Sequence, residues 1–98
     1  MTDRELLELA AKAIELDWYR ASPDGLWVKE EIWNPLTDDG DALRLAVKLK
    51  FLVDVCLDQS EAGNSDCDYQ CELHRDSDPY AATRRAIVRA AAEIEKAL

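Results

Sequence analysis

Cys67-Asp68-Tyr69-Gln70-Cys71-Glu72-Leu73-His74 alternates apolar and polar side chains, and the sequence changes period a few residues later at Asp78-Pro79. A period of two sends successive side chains to opposite faces of a strand, here grouping Cys67, Tyr69, Cys71 and Leu73 on an apolar face. Beyond Pro79, the residues Tyr80, Thr83, Ile87, Ala91, Ile94 and Leu98 fall on one face at helical spacing. Aspartate before proline is a helix start, because the carboxylate accepts free N–H groups and proline suits the first turn. The pattern predicts a strand over 67–74 and a helix over about residues 79–97. A strand with one apolar face needs a covering layer, so this pair points to a sheet packed against helices.

The same reading extends outward. Phe51-Leu52-Val53-Asp54-Val55-Cys56-Leu57 has the β-branched residues of a strand, whereas Gln59 to Asp66, containing Ala62-Gly63-Asn64, reads as a loop. Ala42 to Leu49 is apolar at helical spacing, and the acids Asp38, Asp39 and Asp41 suit the positive end of a helix dipole. Thr2-Asp3-Arg4-Glu5 is a capping box ahead of Leu6, Leu9, Ala10, Ala13 and Ile14, which predicts a helix over about residues 3–16. Asp17 to Arg20 and Leu26 to Ile32 flank the turn Ser22-Pro23-Asp24-Gly25, predicting a hairpin over 17–32. The expected order is α-β-β-α-β-β-α, one α+β domain over residues 1–98 with an antiparallel sheet packed with helices.

A chain of 98 residues is long enough to bury about two-thirds of its unfolded surface, so one core forms without staples. Twelve basic and 21 acidic residues leave a net charge of −9. That balance repels nucleic acid and anionic membranes and favours basic protein surfaces. No apolar run reaches the length of a membrane span, and the charged start Met1 to Glu5 has no signal-type apolar segment, so the expected location is the cytoplasm. The acidity is also local: residues 54–78 carry eight acids against one arginine, whereas residues 79–98 carry a small positive excess.

Cys56, Cys67, Cys71 and His74 contain the residue types of a Cys₃His zinc site. On one strand, however, Cys67 and Cys71 lie about 13 Å apart and His74 points to the other face, too far for zinc–sulfur bonds of about 2.3 Å. Buried thiols acting as small apolar side chains are the expected state, with zinc as the alternative and no cofactor expected. Asp38-Asp39-Gly40-Asp41 lacks the ligand spacing of a calcium loop and the lysine of a phosphate loop, and is expected to cap the next helix. The only histidine has no nucleophile beside it in sequence, and Ser22, Ser60, Ser65 and Ser77 fall in expected turns, so no enzyme is expected. Arg84, Arg85 and Arg89 form a basic stripe that offers a nucleic-acid alternative. The competing expectation is a solvated face with an Arg89–Glu93 pair.

Three segments carry a resemblance: Trp33-Asn34-Pro35-Leu36-Thr37-Asp38-Asp39-Gly40-Asp41-Ala42-Leu43-Arg44-Leu45-Ala46-Val47-Lys48-Leu49, Ala82 to Ile94 with its Arg84-Arg85, and Glu5 to Ala13. Together they resemble small proteins of tailed bacteriophages and prophages. The overall plan is similar to NinX-like and phage ABA-sandwich proteins. The acidic stretch Asp58 to Asp78 carries no part of this resemblance. It implies an accessory protein in a bacterial host cell that binds a host protein, including as an anti-CRISPR-like, anti-defence inhibitor, and it carries over no catalytic residue. The expected partner-binding residues are Asp54, Asp58, Glu61, Asp66, Asp68 and Glu72, facing a host protein with a basic, nucleic-acid-binding surface. Trp18, Trp27 and Trp33 are expected in the core, with a dimer contact left open.

Overall fold

The capping box forms as expected: Thr2 Oγ1 accepts from the Glu5 N–H at 3.1 Å, and Glu5 Oε1 accepts from the Thr2 N–H at 3.0 Å. The main-chain hydrogen bond from Thr2 holds the Glu5 carboxyl below its ordinary value of 4.5. Helix α1, Asp3–Ala13, is shorter than the periodicity suggests. Glu15 turns left-handed at φ 60°, and the Leu16 N–H returns to the Ala11 carbonyl at 3.0 Å. This is a Schellman stop made without glycine.

A computed structural model describes residues 1–16 and 18–98, which form three α-helices and two three-stranded antiparallel sheets. The fold is α+β with the order α-β-β-β-α-β-β-β-α, each of the first two helices being followed by a meander of strands. No described helix is long and apolar enough to cross a membrane.

The first sheet runs β1 (Arg20–Ser22), β2 (Gly25–Val28) and β3 (Glu31–Trp33). It corrects the expected single hairpin over 17–32, whose first residue, Asp17, lies outside the described residues. Lys29 adopts φ 60° and folds the chain back so that Val28 opposes Glu31, splitting one expected strand into two. At the first turn Gly25 has φ 135°, and a Cβ there would meet Asn34 Cβ at 2.8 Å and the Trp33 carbonyl oxygen at 2.9 Å. Asn34 occupies that space: its side-chain amide donates to the Asp24 carbonyl, its side-chain oxygen accepts the Leu36 N–H, and its main-chain N–H reaches Asp41.

Helix α2, Asp39–Leu49, starts at Asp38, which accepts the Asp41 N–H, so the acidic run caps a helix as expected. It stops at Lys50, left-handed at φ 59°, with the Phe51 N–H bonded to the Ala46 carbonyl. The second sheet runs β4 (Leu52–Val55), β5 (Gln59–Asn64) and β6 (Cys67–Leu73). Strand β5 replaces the expected loop. Its residues are small rather than apolar, and Ser60 and Ala62, both fully buried, let a helix approach closely.

That helix is α3, Pro79–Lys96, capped by Asp78 at the Ala81 N–H. Its buried residues, Ala82, Ala86, Ile87, Val88, Ala90, Ala91 and Ala92, form a wider face than the predicted stripe, whose ends Tyr80 and Leu98 are exposed. Leu6, Ala10, Leu45 and Ala62 join it in one cluster, while Leu7, Ala11 and Leu26 form a second. Trp33 and Leu36 pack against both and join them. Trp27 is half-buried on the outer side of its sheet, with the Arg20 guanidinium 5.8 Å from its ring centre, and Trp18 is exposed. Only Trp33 reaches the core clusters as expected of all three.

Candidate functional site

Strand β6 decides the character of the second sheet. Tyr69, Cys71 and Leu73 do share a face, but it is the exposed one, and the core-facing positions hold Gln70 and Glu72. Cys67 does not share their face. A bulge in β6 sets Ala62 opposite Gln70 but Asn64 opposite Cys67, and this extra residue reverses the alternation, so Cys67 packs toward the core. The expected burial of the cysteines is therefore overturned: Cys56 and Cys71 are exposed and Cys67 is half-buried. Alternation separates two faces, but a polar face becomes the inner one when its partners satisfy it. Glu72 does this by pairing with Arg89, and Ser60 does it through hydrogen bonds to His74 and to Thr83 of α3.

The outward face carries Leu52, Asp54 and Cys56 from β4 and its end, Glu61 and Gly63 from β5, and Tyr69, Cys71 and Leu73 from β6. No helix covers it, and Leu52, Tyr69 and Leu73 are 61%, 52% and 57% exposed. Tyr69 lies across Gly63 so closely that a Cβ on the glycine would fall 2.3 Å from its ring. Asp54 stands directly opposite Glu61, and no ion pair to either is found among the described residues. The field of these acids acts on Cys56. Asp54 first, then burial, Glu61 and Asp58, push its thiol above its ordinary value of 9.0.

The six expected partner-binding acids are not one patch. Asp54 and Glu61 meet at the centre of the outward face, and Asp58 lies in the β4–β5 hairpin beside Cys56. Asp66, in the β5–β6 turn, and Asp68, at the start of β6, stand at the far end. Glu72 faces the other way, held by Arg89.

Ser60 is the residue sequence reasoning placed wrongly. Its side chain is fully buried, and Ser60 Oγ lies 2.8 Å from both His74 Nε2 and Thr83 Oγ1. Serine beside imidazole is the pairing of nucleophilic hydrolases. Here His74 Nδ1 faces the Leu57 main-chain carbonyl at 3.2 Å instead of a carboxylate. That carbonyl can only accept, so in the neutral ring Nε2 accepts and Ser60 donates. The hydroxyl is sealed beneath α3, and with the Ser60 proton committed to His74, the single Thr83 hydroxyl proton is shared between Ser60 Oγ at 2.8 Å and the Pro79 carbonyl at 2.7 Å. The chain of contacts pins the end of β6 and the β4–β5 hairpin to the first turns of α3.

Cys56, Cys67, Cys71 and His74 do not converge, and the described residues contain no group of three His, Cys, Asp or Glu side chains placed to hold a metal ion. The helix arginines are occupied within the fold. Arg84 donates to the Leu36 carbonyl at 2.8 Å and pairs with Asp39 at 2.6 Å, Arg85 pairs with Asp3 at 3.0 Å, and Arg89 pairs with Glu72. The expected Arg89–Glu93 pair does not form, and Glu93 takes Lys96 instead.

Between β4, α2 and the start of α3 runs an apolar groove of about 470 Å³, lined by Leu43, Val53, Val55, Tyr80 and Ile87, with Asp39 and Arg84 at its rim. Comparison with protein-family models, with curated proteins and with solved structures finds no match to this chain.

Proposed function

We propose that this domain acts by stoichiometric binding to another protein, not by catalysis, and that the outward face of the second sheet is the contact surface. One observation carries the reading: a sheet face left without a layer exposes Leu52, Tyr69 and Leu73 around the unpaired acids Asp54 and Glu61. Contiguous exposed apolar side chains on a small soluble domain mark interaction sites, and aromatic residues are enriched at such interfaces. The acids set the partner's sign. With −9 overall, the domain is drawn to a basic surface and repelled by nucleic acid itself. The internal use of Arg84, Arg85 and Arg89 supports the same choice. The sequence resemblance supplies the proposed setting: a phage accessory protein whose target is a bacterial host protein with a basic, nucleic-acid-binding surface, an anti-defence target among them.

Affinity capture from a bacterial lysate, with identification by mass spectrometry, tests this. The wild-type chain is expected to retain a defined basic protein at low salt and to lose it when Asp54, Asp58, Glu61, Asp66 and Asp68 are reversed to lysine. Glu72 is left intact because its reversal would break the pair with Arg89. The same capture by both chains at low salt would sink the acidic-face reading.

A further inference from the structure

The second sheet has an open edge at β4, which pairs only with β5. The Cys56 N–H donates to the Gln59 carbonyl at 2.8 Å. In an antiparallel ladder the inward-bonding residues alternate, so Asp54 and Leu52 also turn their main-chain groups toward β5. Val53 and Val55 therefore turn theirs outward, and each presents an N–H and C=O with no main-chain partner among the described residues. Edges of natural sheets are ordinarily protected by proline, by lysine on the strand or by a covering element. Residues 52–55 carry neither proline nor lysine, their one charge is Asp54, and on the inner side β4 borders the apolar groove that separates part of it from α2 and the start of α3.

The two faces of this edge prescribe different neighbours. On the inner face Val53 and Val55 wall the groove with Leu43 and Tyr80, of which Val55, Leu43 and Tyr80 are 55%, 63% and 68% exposed. On the outer face Asp54 stands beside Glu61, and no described lysine or arginine pairs with either. A strand laid along β4 would alternate in step, sending one set of side chains into the groove and the other beside Asp54.

We propose that β4 receives an extended segment of the partner protein as a fourth strand, with apolar residues alternating with lysine or arginine. The inference rests on the second sheet being the binding surface and names what that surface takes. A second copy of this chain fits the edge poorly. Antiparallel pairing of β4 with itself about Asp54, the register that engages the free groups of both Val53 and Val55, sets Asp54 opposite Asp54, a like-charge pair that is destabilising. Both copies would also bring a charge of −9.

The test uses the full chain and a fluorescein-labelled peptide of about seven residues, an ordinary strand length, alternating valine and lysine. Anisotropy measures affinity, and amide NMR shifts locate the contact. Binding is expected to move the Val53 and Val55 amides. It is expected to weaken by about tenfold or more when alternate peptide amides are N-methylated, or when Asp54→Lys is introduced. Because N-methylation leaves the protein untouched, that arm stands even if the variant folds poorly. A glutamate-for-lysine peptide is expected not to bind. Equal binding of the N-methylated peptide overturns strand addition while leaving the acidic-face reading intact. Equal binding of the glutamate peptide overturns both. Failure of the lysine peptide, with capture still dependent on the acids, overturns the fourth strand alone. A concentration-dependent dimer that excludes the peptide assigns the edge to a second copy and also overturns the proposal.

Discussion

The two sheets of this molecule share a plan, three antiparallel strands following a helix, yet they use apolar side chains differently. The first is short-stranded and turned inward. Leu26 is almost wholly buried against Leu7 and Ala11, and Trp27 on the outer side lies under the Arg20 guanidinium. The second is longer and turned the other way. Apart from Val53 and Val55 on β4, its inner face is built from Ser60, Ala62, Gln70 and Glu72, and its large residues Leu52, Tyr69 and Leu73 face solvent beside acids. In the first sheet hydrophobicity stabilises the fold. In the second, small and polar groups make most of the internal contacts, and the larger apolar side chains of its outer face stay exposed.

The sharpest way to break this contrast is Leu26→Ala. Removing a fully enclosed leucine is expected to cost about 2–5 kcal/mol in chemical denaturation, and a loss under about 1 kcal/mol would mean that the first sheet is not held by its core. Ser60→Ala probes the polar lining of the second sheet. It strands His74 Nε2 and removes the hydroxyl link to Thr83, for an expected loss of about 1–3 kcal/mol by the same measurement. A neutral result would make the serine contact incidental. Leu73→Ser, on the outward face, is expected to change stability by no more than about 0.5 kcal/mol. A larger loss would show that this face is covered. The smallest effect is chemical. In a Cys67→Ser, Cys71→Ser background, Asp54→Asn removes the first cause of the raised Cys56 thiol, so its alkylation should reach half-maximal rate at a lower pH. An unmoved profile would separate Cys56 from the acidic centre.

Much of the fold was legible in local chemistry. Thr2 with Glu5, Ser22-Pro23-Asp24-Gly25 and Asp78-Pro79 each specify a cap or turn through groups within a few residues, and the structure forms all three. The helix stops at Glu15 and Lys50 were not legible, because left-handed residues there are not glycine and are held by main-chain bonds that packing completes. Strand β5 was missed for a related reason. Gln59 to Asn64 has no large apolar residue to announce a strand, and its smallness matters only once the alanine-rich face of α3 lies against it. Charge density along the chain points to the central acids of the candidate surface, Asp54 and Glu61, but their cross-strand meeting depends on β5, whose residues carry the local pattern of a loop.

By itself, then, the sequence determined the three helices, the α+β class and the concentration of negative charge around residues 54–78. These depend on periodicity, capping and composition, which act over a few residues. Only the tertiary structure decided which face of β6 turns outward, because period two distinguishes two faces without saying which is buried. That choice was made by long-range partners: Arg89 for Glu72, Thr83 for Ser60, and a bulge that sent Cys67 inward and left Tyr69 and Leu73 in water.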